Sequence, residues 1–171
     1  MAFPVDRLDP GGPRQLEACG PAVVTAVPAA IDALIAIARN SPVIGGAGVR
    51  VDDGPWMSPP PEQELIVIGW VPIEGPTVAW VEDLASLSGP QSETFDVHNM
   101  IRVWRPDAVL KAARDRADEI FEVLRAAVRA DVRLMGAVDN AQVAAQHLTS
   151  AQNSTGGCSV SIDFAVQCQI F

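Results

Sequence analysis

Tyrosine is absent from these 171 residues, lysine occurs once, histidine twice and cysteine three times. Each shortage removes a class of chemistry. His98 and His147 have no second His, Cys or carboxylate at ligand spacing, so a zinc centre would lack convergent donors. Cys19, Cys158 and Cys168 form an odd set, and the last two fall on one face of a predicted strand about 33 Å apart, too far to bond each other within a chain. They read as small buried hydrophobes in a reducing compartment. No elbow motif surrounds Cys19, so a nucleophile paired with His98 or His147 has no local support; it defines the enzymatic alternative, a small Cys/His hydrolase. The sequence names no catalytic, cofactor-binding or metal-ligating residue.

Long apolar runs are also missing. The most apolar N-terminal stretch, residues 21–38, is interrupted by Thr25, Asp32 and two prolines and has no small-residue cleavage site led by basic residues. Neither a membrane span nor a signal peptide is expected. Basic residues number 12 against 21 acidic ones, a net charge of −9 that repels a phosphate backbone and argues against tight nucleic-acid binding.

What is present is an ordinary globular composition, 49% apolar and 19% charged, at a length that supports one core. Residues 1–20 carry Pro4, Pro10, Gly11, Gly12 and Pro13 and are expected to form an extended arm, with a single α+β domain over 21–171. Apolar residues at helical spacing (Val24, Val27, Ile31, Leu34, Ile35, Ala38) predict a helix from about Pro21 to Arg39, with Thr25 as its cap and Asn40-Ser41-Pro42 as its stop. Val49 to Val51 predicts a short strand. Leu65 to Ile68, continuously apolar, predicts a strand covered on both faces at the centre of a sheet. A third strand is expected to include Thr77 to Leu84.

Phe95, Val97, Asn99, Ile101 and Val103 alternate with Asp96, His98, Met100, Arg102 and Trp104 in a longer strand closed by Pro106. Asp107 is then expected to cap a helix with the stripe Leu110, Ala113, Ala117, Ile120, Phe121, Leu124, Ala127 and Val128, and with Lys111–Asp115 and Arg114–Asp118 pairs on its wet side. A weaker strand, Val143 to Thr149, precedes the last one. That last strand alternates from Cys158 to Ile170 and presents a dry face (Cys158, Val160, Ile162, Phe164, Val166, Cys168, Ile170) and a polar face with one charge and no lysine. The dry face is expected to be core beneath the helix of Ile120 and Leu124, while the unprotected polar face and bare end point to assembly at Gln169 and Phe171. The sum is an α+β fold: a mixed, mostly antiparallel sheet of about four to six strands packed against two main helices.

Gly45, Gly46 and Gly48 lie between a helix and a strand, the reverse of a phosphate cradle, and read as a flexible loop. Asp52 with Asp53 and Glu62 with Glu64 read as solvated turn carboxylates. Of Trp56, Trp70, Trp80 and Trp104, only Trp56 sits in a Pro-flanked loop, which makes it, with Asp53, a candidate interface contact.

Three stretches carry a resemblance: Ala38-Arg39-Asn40-Ser41-Pro42; Val49-Arg50-Val51-Asp52-Asp53-Gly54-Pro55; and Leu65-Ile66-Val67-Ile68-Gly69-Trp70. With the helix from Arg114 to Ile120, its ending Ala130-Asp131-Val132-Arg133-Leu134-Met135-Gly136, which is similar to an "aDprLgG" pattern, and the long C-terminal strand, the chain resembles tail terminator proteins of siphophages that infect actinobacteria. Val132 and Met135 depart from the pattern, and residues 1–20 lie outside it.

The resemblance implies a tail-terminator-like subunit without catalytic residues or cofactors. Six copies would form a ring on the last ring of tail tube protein, stop tube growth and offer a docking surface to the head-tail connector or stopper. It implies a place in the virion neck after assembly in the host cytoplasm. Six copies of −9 give −54, a charge under which DNA would pass the lumen without sticking. A head-completion or stopper protein of the same neck is the nearest alternative.

Overall fold

In a computed structural model, the structure of the protein describes residues 26–54, 63–69, 78–82, 92–107, 109–152 and 157–171. The expectations placed on the N-terminal arm, Cys19, Thr25, Trp56, Glu62 and Trp70 lie outside these residues. The element order is α1 (Val27–Asn40), β1 (Arg50–Asp53), β2 (Glu64–Ile68), β3 (Val78–Glu82), β4 (Glu93–Arg105), α2 (Leu110–Ala130), β5 (Asn140–Gln152) and β6 (Cys158–Ile170), with 3-10 turns at Gly45–Ala47 and Leu134–Gly136.

One sheet holds all six strands of the described residues, in the order β1-β2-β4-β6-β5. β3 joins it beside β4: β4 gives the same edge to two strands end to end, Glu93–Val97 to β3 and Asn99–Val103 to β2. Among the described strands only β1 and β2 run parallel. The fold is therefore α+β with a mixed, mostly antiparallel sheet and two main helices.

β6 is an interior strand, flanked by β4 and β5. β4 pairs with it along all 13 residues and β5 pairs along its other side. Strands of this length need neighbours of equal length to satisfy their main-chain groups, and β4 and β5 supply them. The dry face holds as read: Cys158, Val160, Ile162, Val166 and Cys168 are fully buried, and the Phe164 ring stands edge-on to Phe121 of α2 at 5.3 Å and 72°.

α2 packs across β4, β5 and β6 through Ala113, Ala117, Ile120, Phe121, Leu124 and Val128. Its start differs from expectation. The helix begins three residues after Asp107, whose carboxylate accepts the Val109 N–H at 3.3 Å rather than capping the first turn. Lys111 pairs with Asp115 as expected, but among the described residues Arg114 and Asp118 do not meet.

α1 buries Ala30, Ala33, Leu34, Ile35 and Ala38, carries Pro28 in its first turn, and ends at Ser41, held extended by the following proline. Leu65, Ile66, Val67 and Ile68 are all buried, as a strand covered on both faces must be. Ile66 and Ile68 join the core under the helices, while Leu65 and Val67 form a second cluster with Met100 on the opposite face.

β5 is longer than its sequence suggests, 13 residues against an expected seven, because three small or polar residues at each end give no strand signal; a bulge between Val143 and Ala145 also shifts the inside-outside parity within it.

Candidate functional site

Asp53 lies exposed at the end of β1, opposite Ile68. Gln169 and Phe171 lie at the end of β6. The Phe171 N–H donates to Asp139 Oδ2 at 2.8 Å, its side chain is 74% exposed, and the Gln169 side chain accepts from Asn140 Nδ2 at 3.3 Å. Three strand spacings and the register put Asp53 and Gln169 about 14 Å apart across the sheet and about 17 Å along it. The fold does not bring them into one patch. Trp56 lies outside the described residues.

The two histidines share the sheet face that the helices leave open. His98 on β4 faces Ala165 of β6, and His147 on β5 faces Asp163 of β6. Two strand spacings and two residues separate them by about 12 Å. Cys158 and Cys168 point to the other face, into the core. Burial, with Asp96 adding to it, pushes the Cys168 thiol up to about 12, so it stays protonated at neutral pH and is a poor nucleophile. Asp163 is raised above the ordinary carboxylate range by burial, partly offset by the charge of His147. Among the described residues no His, Cys, Asp and Glu side chains gather in a group able to hold a metal ion.

Glu64 corrects the reading of solvated carboxylates. It sits in β2 and receives Arg105 Nη2 at 2.7 Å and both Nε and Nη2 of Arg116 at 3.0 Å, with Glu64 and Arg116 side chains 14% and 16% exposed. Arg116 also meets Glu119 and donates to the Val43 carbonyl at 3.2 Å, and its guanidinium is held further up by the Glu64 hydrogen bond. The cluster ties the loop after α1, the start of β2, the end of β4 and the second turn of α2. Sequence reasoning missed it because the partners are up to 52 residues apart and no local spacing announces them. Asp52, by contrast, pairs locally with Arg50 at 2.8 Å.

The glycine loop is an ordered turn. The Ser41 carbonyl accepts N–H groups from Ile44, Gly45 and Gly46, which closes Gly45–Ala47 as a 3-10 turn and leaves no cradle for a phosphate.

The turn after α2 is set by three residues of the Asp131 to Gly136 stretch. Asp131 accepts the N–H of Arg133 at 3.2 Å and of Met135 at 2.8 Å, Leu134 is fully buried, and Gly136 takes φ +88°. Between them Met135 is held at φ +59° with its side chain 68% exposed. A left-handed conformation costs a non-glycine residue about 1 kcal/mol or more, and this side chain recovers little by packing. Met135→Gly is therefore expected to stabilise the fold by about 0.5 kcal/mol in urea titration, the strain relief outweighing the extra freedom of the unfolded chain. A loss of stability would show that the exposed methionine holds the turn.

The largest open edge among the described residues belongs to β5. It pairs only with β6, and its sequence Asn-Ala-Gln-Val-Ala-Ala-Gln-His-Leu-Thr-Ser-Ala-Gln carries no charge and no proline. His147, Leu148, Thr149, Ser150 and Ala151 are all exposed. No described helix is long and apolar enough to cross a membrane. Compared with known proteins, the chain matches no family model and no curated sequence.

Proposed function

We propose that the protein is a structural subunit of a siphophage neck, a tail terminator whose copies close into a hexameric ring on the tail tube. The observation that carries this reading is how the resembling ending, Ala130 to Gly136, is used. Asp131, Leu134 and Gly136, three of the five positions that keep the pattern, each hold one part of the turn after α2: a double cap, a buried anchor and a left-handed glycine. The other resembling stretches fall in order on the end of α1, on β1 and on β2. A sequence likeness that coincides with residues of definite structural duty is stronger support than one spread over exposed positions.

In this role the ring uses a heterologous contact between copies, since a closed ring must join one surface to a different one. One rim meets the tail tube protein and the other the connector or stopper, and the acidic chain lines a passage that DNA crosses without specific binding.

Electron microscopy of particles assembled without the protein tests the reading. Overlong or unfinished tails are the expected result. Tails of normal length beside leaking heads would reassign the chain to the stopper, and intact particles would remove it from the neck.

A further inference from the structure

The open edge of β5 has a use separate from any ring. Edge strands are ordinarily blunted by lysine, proline, a bulge or brevity, because a row of free N–H and C=O groups recruits further strands. β5 has the bulge between Val143 and Ala145, which turns its first residues aside, but beyond it residues 145–152 run on in one register with β6, without charge or proline. That leaves eight residues of unguarded edge, about 26 Å long.

We propose that this edge is a self-association surface on which two copies pair antiparallel within residues 145–152, about a local two-fold axis. Three observations select a second copy as the occupant. Each chain carries −9, so two copies repel wherever acidic surfaces meet, and β5 is the long strand that brings no acidic side chain to the contact. The opposite end of the strand order, β1, has four residues, three of them charged, and cannot match an eight-residue edge, whereas β5 matches itself in length and neutrality. Finally, the exposed residues Leu148, Thr149, Ser150 and Ala151 carry no ionisable side chain, so they can face one another across a dyad without like-charge opposition.

The geometry of the pair is constrained. Directly opposed residues share a sheet face, so a dyad normal to the sheet must pass between a residue and its own copy, not between unlike neighbours. The joined sheet would carry twelve strands with all four main helices on one side, from six strands and two helices per copy. Such an isologous contact differs from the heterologous contact of a polar ring. The pairing and the ring therefore stand or fall separately.

Single cysteines placed at each position from 147 to 151 in a Cys19→Ser background test it, with Cys158 and Cys168 left buried in the core. Oxidation of the purified full chain is expected to give a crosslinked dimer at one position, falling off at its neighbours, because only the residue on the dyad meets its own copy within disulfide reach. Light scattering should give a dimer whose mass returns to monomer in Thr149→Lys and Ala151→Lys, with circular dichroism unchanged. A chain monomeric across a dilution series overturns the proposal, as does a larger ring indifferent to both lysines. The second result would leave the ring reading intact, and a β5 dimer from a chain whose loss leaves tail length normal would do the reverse.

Discussion

Phe164→Asp is expected to abolish folding at room temperature. The ring sits at the middle of β6, 6% exposed, opposite Asn99 of β4 and edge-on to Phe121 at the centre of the α2 stripe. Removing it forfeits about 2–3 kcal/mol of apolar transfer and about 1 kcal/mol of aromatic pairing. The aspartate must also either ionise in the core or hold a proton at neutral pH, and each costs more. The total exceeds about 5 kcal/mol, which matches the whole stability of many domains. Phe164→Leu, which keeps the position apolar, should lose about 1–2 kcal/mol and stay folded. Urea titration of both variants decides the matter: an aspartate variant with a midpoint near that of the parent would mean that this face is not the core.

Gly45→Ala should be the next most damaging single change, although it adds one methyl group. A Cβ at Gly45 would stand 2.0 Å from the Arg39 carbonyl oxygen, which is main chain and has no rotamer through which to retreat. The surroundings are fixed as well. Arg39 is held by its hydrogen bond to the Val51 carbonyl, and Val43 by Arg116. Relief thus requires α1 and the turn to part, at a cost of about 3 kcal/mol or more. In a chain of this size that lowers the melting temperature by about 6–12 °C. Gly46→Ala is the control, since a Cβ there meets nothing within 4 Å. Equal melting temperatures for the two variants would refute the steric account.

These two positions also divide what the sequence made legible from what it did not. Phe164 was readable because β6 lies against a helix on one face only, so burial alternates with a period of two and the apolar residues mark the inside. α2 and β4 were readable for the same reason, each by its own period. β5 was underestimated because its ends, Asn140 to Gln142 and Ser150 to Gln152, are small or polar and carry no alternation to count. Gly45 read as part of a flexible loop because sequence reports the absence of a side chain but not the carbonyl that requires it.

The Glu64 cluster shows the same limit. A glutamate flanked by glutamine and leucine gives no sign that two arginines from later elements will close on it. Of the candidate contact residues, Asp53 and Phe171 are exposed, but strand order sets them on separate parts of the sheet, and strand order is a long-range property that local pattern does not encode.

The position of β6 between β4 and β5 has a consequence for how the molecule is made. Chain order and spatial order disagree: the strand translated after the other five is the one that must be inserted between two already synthesised. Until it leaves the ribosome, β4 and β5 have no common neighbour, α2 has only part of a surface to cover, and long apolar strands wait with open sides. The sheet therefore closes only once β6 has been made, through pairings as distant as Glu93 with Ile170. Such long-range closure is slow, and nascent chains stalled before Cys158 should be the form of this protein most in need of a chaperone.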